Sequence, residues 1–175
     1  MKKYYSAFII VFGLMSFKAQ VNIGGTSMSS PSASLEFGAG NKGIVLPYVT
    51  SASDVVTAGV VDGTFIFDST DKKVKLRTNG QWFDFTNDET GKVDVSIQTA
   101  KTENVNAKAV IGANGSTDTT PGILVLSDTN KAMVLPKVAS PHLNIVNPAP
   151  GMIVYDTAAH QLAVYNGSVW SFWKP

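Results

Sequence analysis

Asn41-Lys42-Gly43-Ile44-Val45-Leu46-Pro47 returns as Asn130-Lys131-Ala132-Met133-Val134-Leu135-Pro136, with five identities in seven positions. The two halves stay in step from there. Val49 matches Val138, Ser51 matches Ser140, Gly63 matches Gly151, Asp68 matches Asp156, Asn79-Gly80 matches Asn166-Gly167, and Trp82 matches Trp170. Upstream, Ile23-Gly24 pairs with Ile111-Gly112. Repetition on this scale marks one folding module used twice. The boundaries that follow are 20–85 for the first module, 109–175 for the second, and a polar connector over 86–108.

The hydrophobic period inside each module is that of strands. Thr64-Phe65-Ile66-Phe67 and Met152-Ile153-Val154-Tyr155 are short β-branched and aromatic runs, opened by Gly63 or Gly151 and closed by Asp68 or Asp156. Lys73-Val74-Lys75-Leu76-Arg77 alternates strictly, and Gln161-Leu162-Ala163-Val164-Tyr165 follows more weakly. Asn-Gly comes next in both copies and tolerates the positive φ angles of a tight hairpin, which leads into the Trp-bearing strand. The reading is therefore all-β: two tandem repeats of a small antiparallel module, each ending in a three-stranded meander. Two further strands are expected before each meander, Ser34 to Phe37 with Gly43 to Leu46, and Ile123 to Leu126 with Ala132 to Leu135. Ser140-Pro141 offers an N-cap followed by proline at the first helical position, so one helical turn is expected there. Val93, Val95 and Ile97 alternate in the connector, as an edge strand would. Residues shared by repeats are expected at structural anchors, here Trp82, Trp170, Pro47, Pro136, Gly63, Gly151, Asp68 and Asp156.

Lys2 and Lys3, the apolar run Ala7 to Phe17, and Lys18-Ala19-Gln20 follow the order of a secretory signal. The run falls short of the roughly 20 residues a membrane span needs, so residues 1–19 are expected to be removed and no membrane span to remain. Cleavage is placed at Ala19/Gln20. What is left holds 11 basic against 13 acidic side chains, a formal charge of −2. With no basic stripe, nucleic acid is excluded as a partner. The absence of cysteine excludes disulfides and thiolate metal sites. A module of this size without cross-links buries only about 60% of its extended-chain surface, so packing between the copies or between chains is expected.

These residues resemble the short secreted two-repeat β-proteins of Bacteroidota. The resemblance is carried by Ala19-Gln20-Val21-Asn22-Ile23-Gly24-Gly25-Thr26 with Pro31-Ser32-Ala33-Ser34-Leu35-Glu36-Phe37, by the repeated Asn-Lys-Gly/Ala-x-Val-Leu-Pro, and by Gly151-Met152-Ile153-Val154-Tyr155-Asp156-Thr157 running on to Asn166-Gly167 and Trp170. It implies a surface or secreted protein and no particular chemistry. Similar openings precede fibre-like, self-associating segments, which points toward assembly.

Catalytic machinery is hard to build from this chain. Its only imidazoles are His142 and His160; the first follows a loose loop and the second aligns with Lys72 at a hairpin tip, and neither comes with an orienting acid. Gly38-Ala39-Gly40-Asn41-Lys42-Gly43 imitates a dinucleotide fingerprint but precedes a strand instead of a helix, and its counterpart Ser127-Asp128-Thr129-Asn130-Lys131-Ala132 has no glycine. Asp84 to Glu89 clusters acids without the ligand alternation of a calcium loop. No cofactor and no metal site is expected. Asp68-Ser69-Thr70, Asp118-Thr119-Thr120 and Asp156-Thr157-Ala158 look like the O-glycosylation signal of exported Bacteroidota proteins, with Ser69, Thr119 and Thr157 as the attachment residues. Asp and Thr also suit turns on their own account.

The expectation is a non-enzymatic structural or adhesive protein of the envelope or surface, located in the periplasm, on the outer membrane or outside the cell. Its partners would be further copies of itself or other envelope proteins. The alternative is a module that binds polysaccharide through Trp173, Tyr165 and Tyr155.

Overall fold

The computed structural model describes residues 20–55, 59–102, 104 and 106–174. The expected export signal lies outside them. No helix among the described residues is long and apolar enough to cross a membrane.

The chain is all-β, and the strands of its two meanders pair in equivalent register. The first consists of β5 (Phe65–Asp68), β6 (Lys73–Thr78) and β7 (Gln81–Asp84), with the two-residue β4 (Tyr48–Val49) parallel to β5. The second consists of β12 (Met152–Asp156), β13 (Gln161–Tyr165) and β14 (Trp170–Trp173), with β11 (Lys137–Val138) parallel to β12. The proline of each repeat delivers the same bond: the Pro47 carbonyl accepts from Phe67 N–H, and the Pro136 carbonyl from Tyr155 N–H, both at 2.9 Å. Asp68 and Asp156 are buried and do the same work. Asp68 accepts from the N–H groups of Ala52, Thr70 and Asp71, and Asp156 from those of Ser140, Ala158 and Ala159. Each carboxylate thereby ties the first hairpin of its meander to the loop that leads in. Gly63 and Gly151 both hold positive φ at the meander entrance.

Outside the meanders every pairing except that of β3 with β12 is parallel, unlike the antiparallel module the sequence predicts. In the first half β1 (Val21–Ile23) lies parallel to β2 (Ala33–Phe37). In the second, β8 (Ala109–Ile111) lies parallel to β9 (Leu124–Leu126). Long loops, not tight turns, join these strands and return the chain in the same direction. The halves are also interleaved. The repeated heptapeptides form β3 (Ile44–Val45) and β10 (Ala132–Val134), and each pairs with the other half: β3 antiparallel to β12, β10 parallel to β2.

One core is built jointly. Phe67, Val74 and Phe85 of the first half meet Ile153 and Val164 of the second, with Ile44, Leu46, Tyr48, Phe65, Leu76, Val93, Leu135 and Leu162 around them. A second cluster, Val138, Ile145, Met152, Val154 and Ala163, covers the other face of the second meander. β12 is thus buried on both faces, which is why Met152-Ile153-Val154 reads as a continuous apolar run. On the first meander the outward face is polar: Lys75 is buried but bonded to Asp84 at 2.7 Å and Asp71 at 2.5 Å.

Three local expectations are corrected. Asn79-Gly80 forms the tight hairpin, with φ of 50° and 69°, but Asn166 is fully buried and opens a longer turn by accepting N–H bonds from Ser168 and Val169. Its amide nitrogen donates to Asp88 at 2.8 Å, so the one side chain joins this turn to the connector. The connector forms no edge strand: Ser96–Thr99 is a short helix, α1, and Val93 packs on the shared core. The helical turn after Ser140 exists, α2 (Pro141–Asn144), with proline at its start. Ser140 does not cap it by side chain: its backbone is left-handed where a capping residue is ordinarily extended, and its N–H donates to Asp156.

Candidate self-association surface

Comparing the two halves strand by strand exposes an asymmetry. Val21 stands opposite Leu35 and Ile23 opposite Phe37; Ala109 stands opposite Leu124 and Ile111 opposite Leu126. The closing bonds match too, Gly38 N–H to Ile23 O and Ser127 N–H to Ile111 O, both 2.9 Å. Thus β2 and β9 are the same strand of the repeat. β2 has β1 on one edge and β10 on the other, whereas β9 has only β8 among the described residues. The consequence shows at one residue pair. Leu35 is 1% exposed and its counterpart Leu124 is 48% exposed, next to Ile123 at 63%.

β9 is apolar throughout where β2 is not. Ser34 and Glu36 are replaced by Ile123 and Val125, giving Ile123-Leu124-Val125-Leu126 without a polar residue. Such a run belongs to strands covered on both sides. The sequence signal for this surface is that run, which read alone implies only a strand. The charges flanking the edge are already paired. Lys108 bonds Asp118 at 3.3 Å and Lys131 bonds Asp128 at 3.2 Å. The main-chain N–H of Thr120 holds the Asp118 carboxyl below its ordinary range, and that of Ala113 does the same for Asp128. A bare apolar edge with neutralised flanks suits another strand better than a charged ligand.

The aromatic residues expected to meet a glycan divide. Trp173 and Tyr155 line an open cleft of about 410 Å³ together with Phe85, His160, Gln161 and Leu162. Tyr165 lies elsewhere, against Trp170 with ring centres 5.2 Å apart. Trp173 stacks on Phe85, its counterpart in the repeat, at 4.9 Å, and its Nε1–H donates to the Phe85 carbonyl at 2.8 Å. Trp82 and Trp170 occupy equivalent places opposite Arg77 and Tyr165. Both are half-buried on the outermost strand of their meanders, and the fully buried centre is formed by Phe67, Val74, Val154 and Val164. Arg77 lies over Trp82 at 5.6 Å, while Trp170 packs against the second core cluster.

Of the three candidate glycosylation residues, Thr119 is exposed, and Ser69 and Thr157 are half-buried in turns organised by Asp68 and Asp156. His142 and His160 are both exposed, His160 at positive φ in the turn equivalent to that of Lys72. The acids from Asp84 to Glu89 are engaged: Asp84, at the end of β7, with Lys75 and Lys73, Glu89 with Lys73, and Asp88 with Thr90 and Asn166. No group of residues fit to hold a metal ion occurs among the described residues.

Residues 97–174 match the model of a family described as a phage tail like trimerisation region. No curated protein and no solved structure matches the chain. The matched family is structural and assembly-related, and the matched stretch contains β9, β10 and the whole second meander.

Proposed function

We propose that this protein is an exported structural protein that assembles as a homotrimer through its second half, in the cell envelope or at the cell surface. The observation that carries the reading is the similarity of residues 97–174 to a trimerisation region. The bare, all-apolar edge of β9 inside that stretch agrees with it. Export rests on the charged and apolar order of residues 2–20, and attachment of glycans to Ser69, Thr119 and Thr157 on the three Asp-Ser/Thr signals. Fractionation of the native host followed by intact and native mass spectrometry tests the whole reading. Three chains per particle, each beginning at or near Gln20 and found with the envelope or the medium, are expected. A cytoplasmic chain that retains Met1 contradicts export, a one-chain particle contradicts assembly, and a bare mature mass contradicts glycosylation.

A second reading is favoured by one feature, the open cleft that brings Trp173 and Tyr155 together beside His160 and Gln161. Aromatic faces beside hydrogen-bonding side chains suit a saccharide, and Trp fluorescence during titration with oligosaccharides separates the readings. Saturable quenching that Trp173→Ala abolishes would establish the polysaccharide partner.

A further inference from the structure

The halves of this chain already show how one module receives another. Within the chain, β10 adds parallel to β2, with Met133 opposite Leu35 and Val134 opposite Glu36, and Ala132 N–H donates to Ser32 O at 2.8 Å. β9 is the equivalent of β2 and its corresponding edge carries no strand among the described residues. The equivalent of β10 is β3, which is seated on β12 by one edge only: Ile44 faces Ile153, and Leu46 N–H donates to Gly151 O at 3.1 Å. Main-chain groups alternate sides along a strand, so those of Val45 face away from β12, and Val45 is 45% exposed. The chain therefore holds an unfilled socket on its second module and an unused plug on its first. The edge of β5 at Phe65, equivalent to the Ile153 seat of β3, likewise carries no strand among the described residues.

We infer that copies of this chain join head to tail, β3 of one copy adding parallel to the free edge of β9 in the next. The inference rests on the self-association proposed above and assigns the surface that makes it. Transferring the observed register places Ile44 opposite Leu124 and Val45 opposite Val125. Module one of the second copy then stands to module two of the first as module two stands to module one within each chain. Such a contact is heterologous: the two partners use different surfaces, so it closes into a ring or runs on as a fibre. A ring of three chains presents six modules around one axis, with every β2-type and β3-type edge filled. The pairing also buries Leu124 as β10 buries Leu35, and gives the Leu124 and Leu126 main-chain groups partners that they lack among the described residues of one chain.

The chain contains no cysteine, so introduced thiols report contacts without background. Leu124→Cys chains mixed with Ile44→Cys chains, refolded together and oxidised, are expected to give a mixed disulfide dimer, while neither variant alone cross-links. A chain carrying both substitutions is expected to give a covalent trimer. Leu124→Cys pairing with itself would show a symmetric edge contact and overturn the inference, as would an intrachain cross-link in the double variant. A three-chain mass without any 124–44 disulfide would also overturn it, while leaving the trimer itself in place; a one-chain mass would remove both. Leu124→Pro gives an independent check. The N–H it deletes has no partner among the described residues of the chain, so the fold by circular dichroism should persist while association weakens roughly tenfold or more. Unchanged association would refute the assignment.

Discussion

Replacing Phe67 with alanine removes the ring that stands where the two halves meet. Phe67 is fully buried, packs edge-on against Tyr48 with ring centres 5.5 Å apart, and contributes to the core shared with Ile153 and Val164. Its side chain also lies against Gly151, where an added β-carbon would lie 3.1 Å from the Phe67 Cβ and 3.3 Å from its ring. Burying about 200 Å² at about 25 cal/mol per Å² corresponds to about 5 kcal/mol, in line with the roughly 3–5 kcal/mol measured for Phe→Ala in protein cores. For a chain of this length that shifts Tm down by roughly 6–20 °C. The more telling consequence is where the loss is felt. Because the core belongs to both halves, the second meander should lose stability along with the first. Hydrogen exchange read by mass spectrometry on peptides covering 65–78 and 152–165 measures the two separately. Equal loss of protection in both is expected. If 152–165 kept its protection while 65–78 lost it, the halves would be independent and the shared core would not hold the fold together.

Glycine at 151 and 63 should respond unequally. Both positions have positive φ, costing alanine about 1–2 kcal/mol, but only Gly151 faces Phe67, so Gly151→Ala should lower Tm more than Gly63→Ala in a calorimetric scan. Asp156→Ala leaves the N–H groups of Ser140, Ala158 and Ala159 without their acceptor and should destabilise by about 3 kcal/mol in urea titration. Burial disfavours the Asp156 charge, but those three donors and nearby His142 outweigh it and hold the carboxyl below its ordinary range. A depressed carboxyl contributes stability above its unfolded pKa, so the wild-type advantage over Asp156→Ala should be complete above about pH 4 and shrink as the pH falls further. Asn166→Ala should raise exchange over residues 88–93, because the connector loses the bond to Asp88, and cost about 2 kcal/mol.

What the sequence made legible was local or repeated. The meanders were readable because their strands are joined by short turns whose residues, Gly63, Asp68 and Asn79-Gly80, declare themselves by conformational need. The repeat located the same features in the second half, except where Asn166 serves a different partner. Its side chain turns toward Asp88, far away in sequence, and nothing in the Asn-Gly dipeptide announces that. The parallel pairings and the interleaving of β3 and β10 stayed hidden for the same reason: short strands without hairpin turns say nothing of which distant edge they join. The Trp pair marks equivalent places but not the centre of the core, since the outermost strand of each meander leaves an indole half in solvent. The proposed assembly surface has its trace in Ile123-Leu124-Val125-Leu126, an apolar run with one edge that carries no strand among the described residues. It could be recognised as uncovered only once the structure showed what β2, its twin, lies against.

The central property proposed for this chain is that it associates with itself into a closed assembly. Sedimentation equilibrium of the purified chain lacking residues 1–19, over a hundredfold range of concentration, measures that directly. The predicted result is one species with the mass of three chains that persists on dilution; a species with the mass of one chain at every concentration would contradict it.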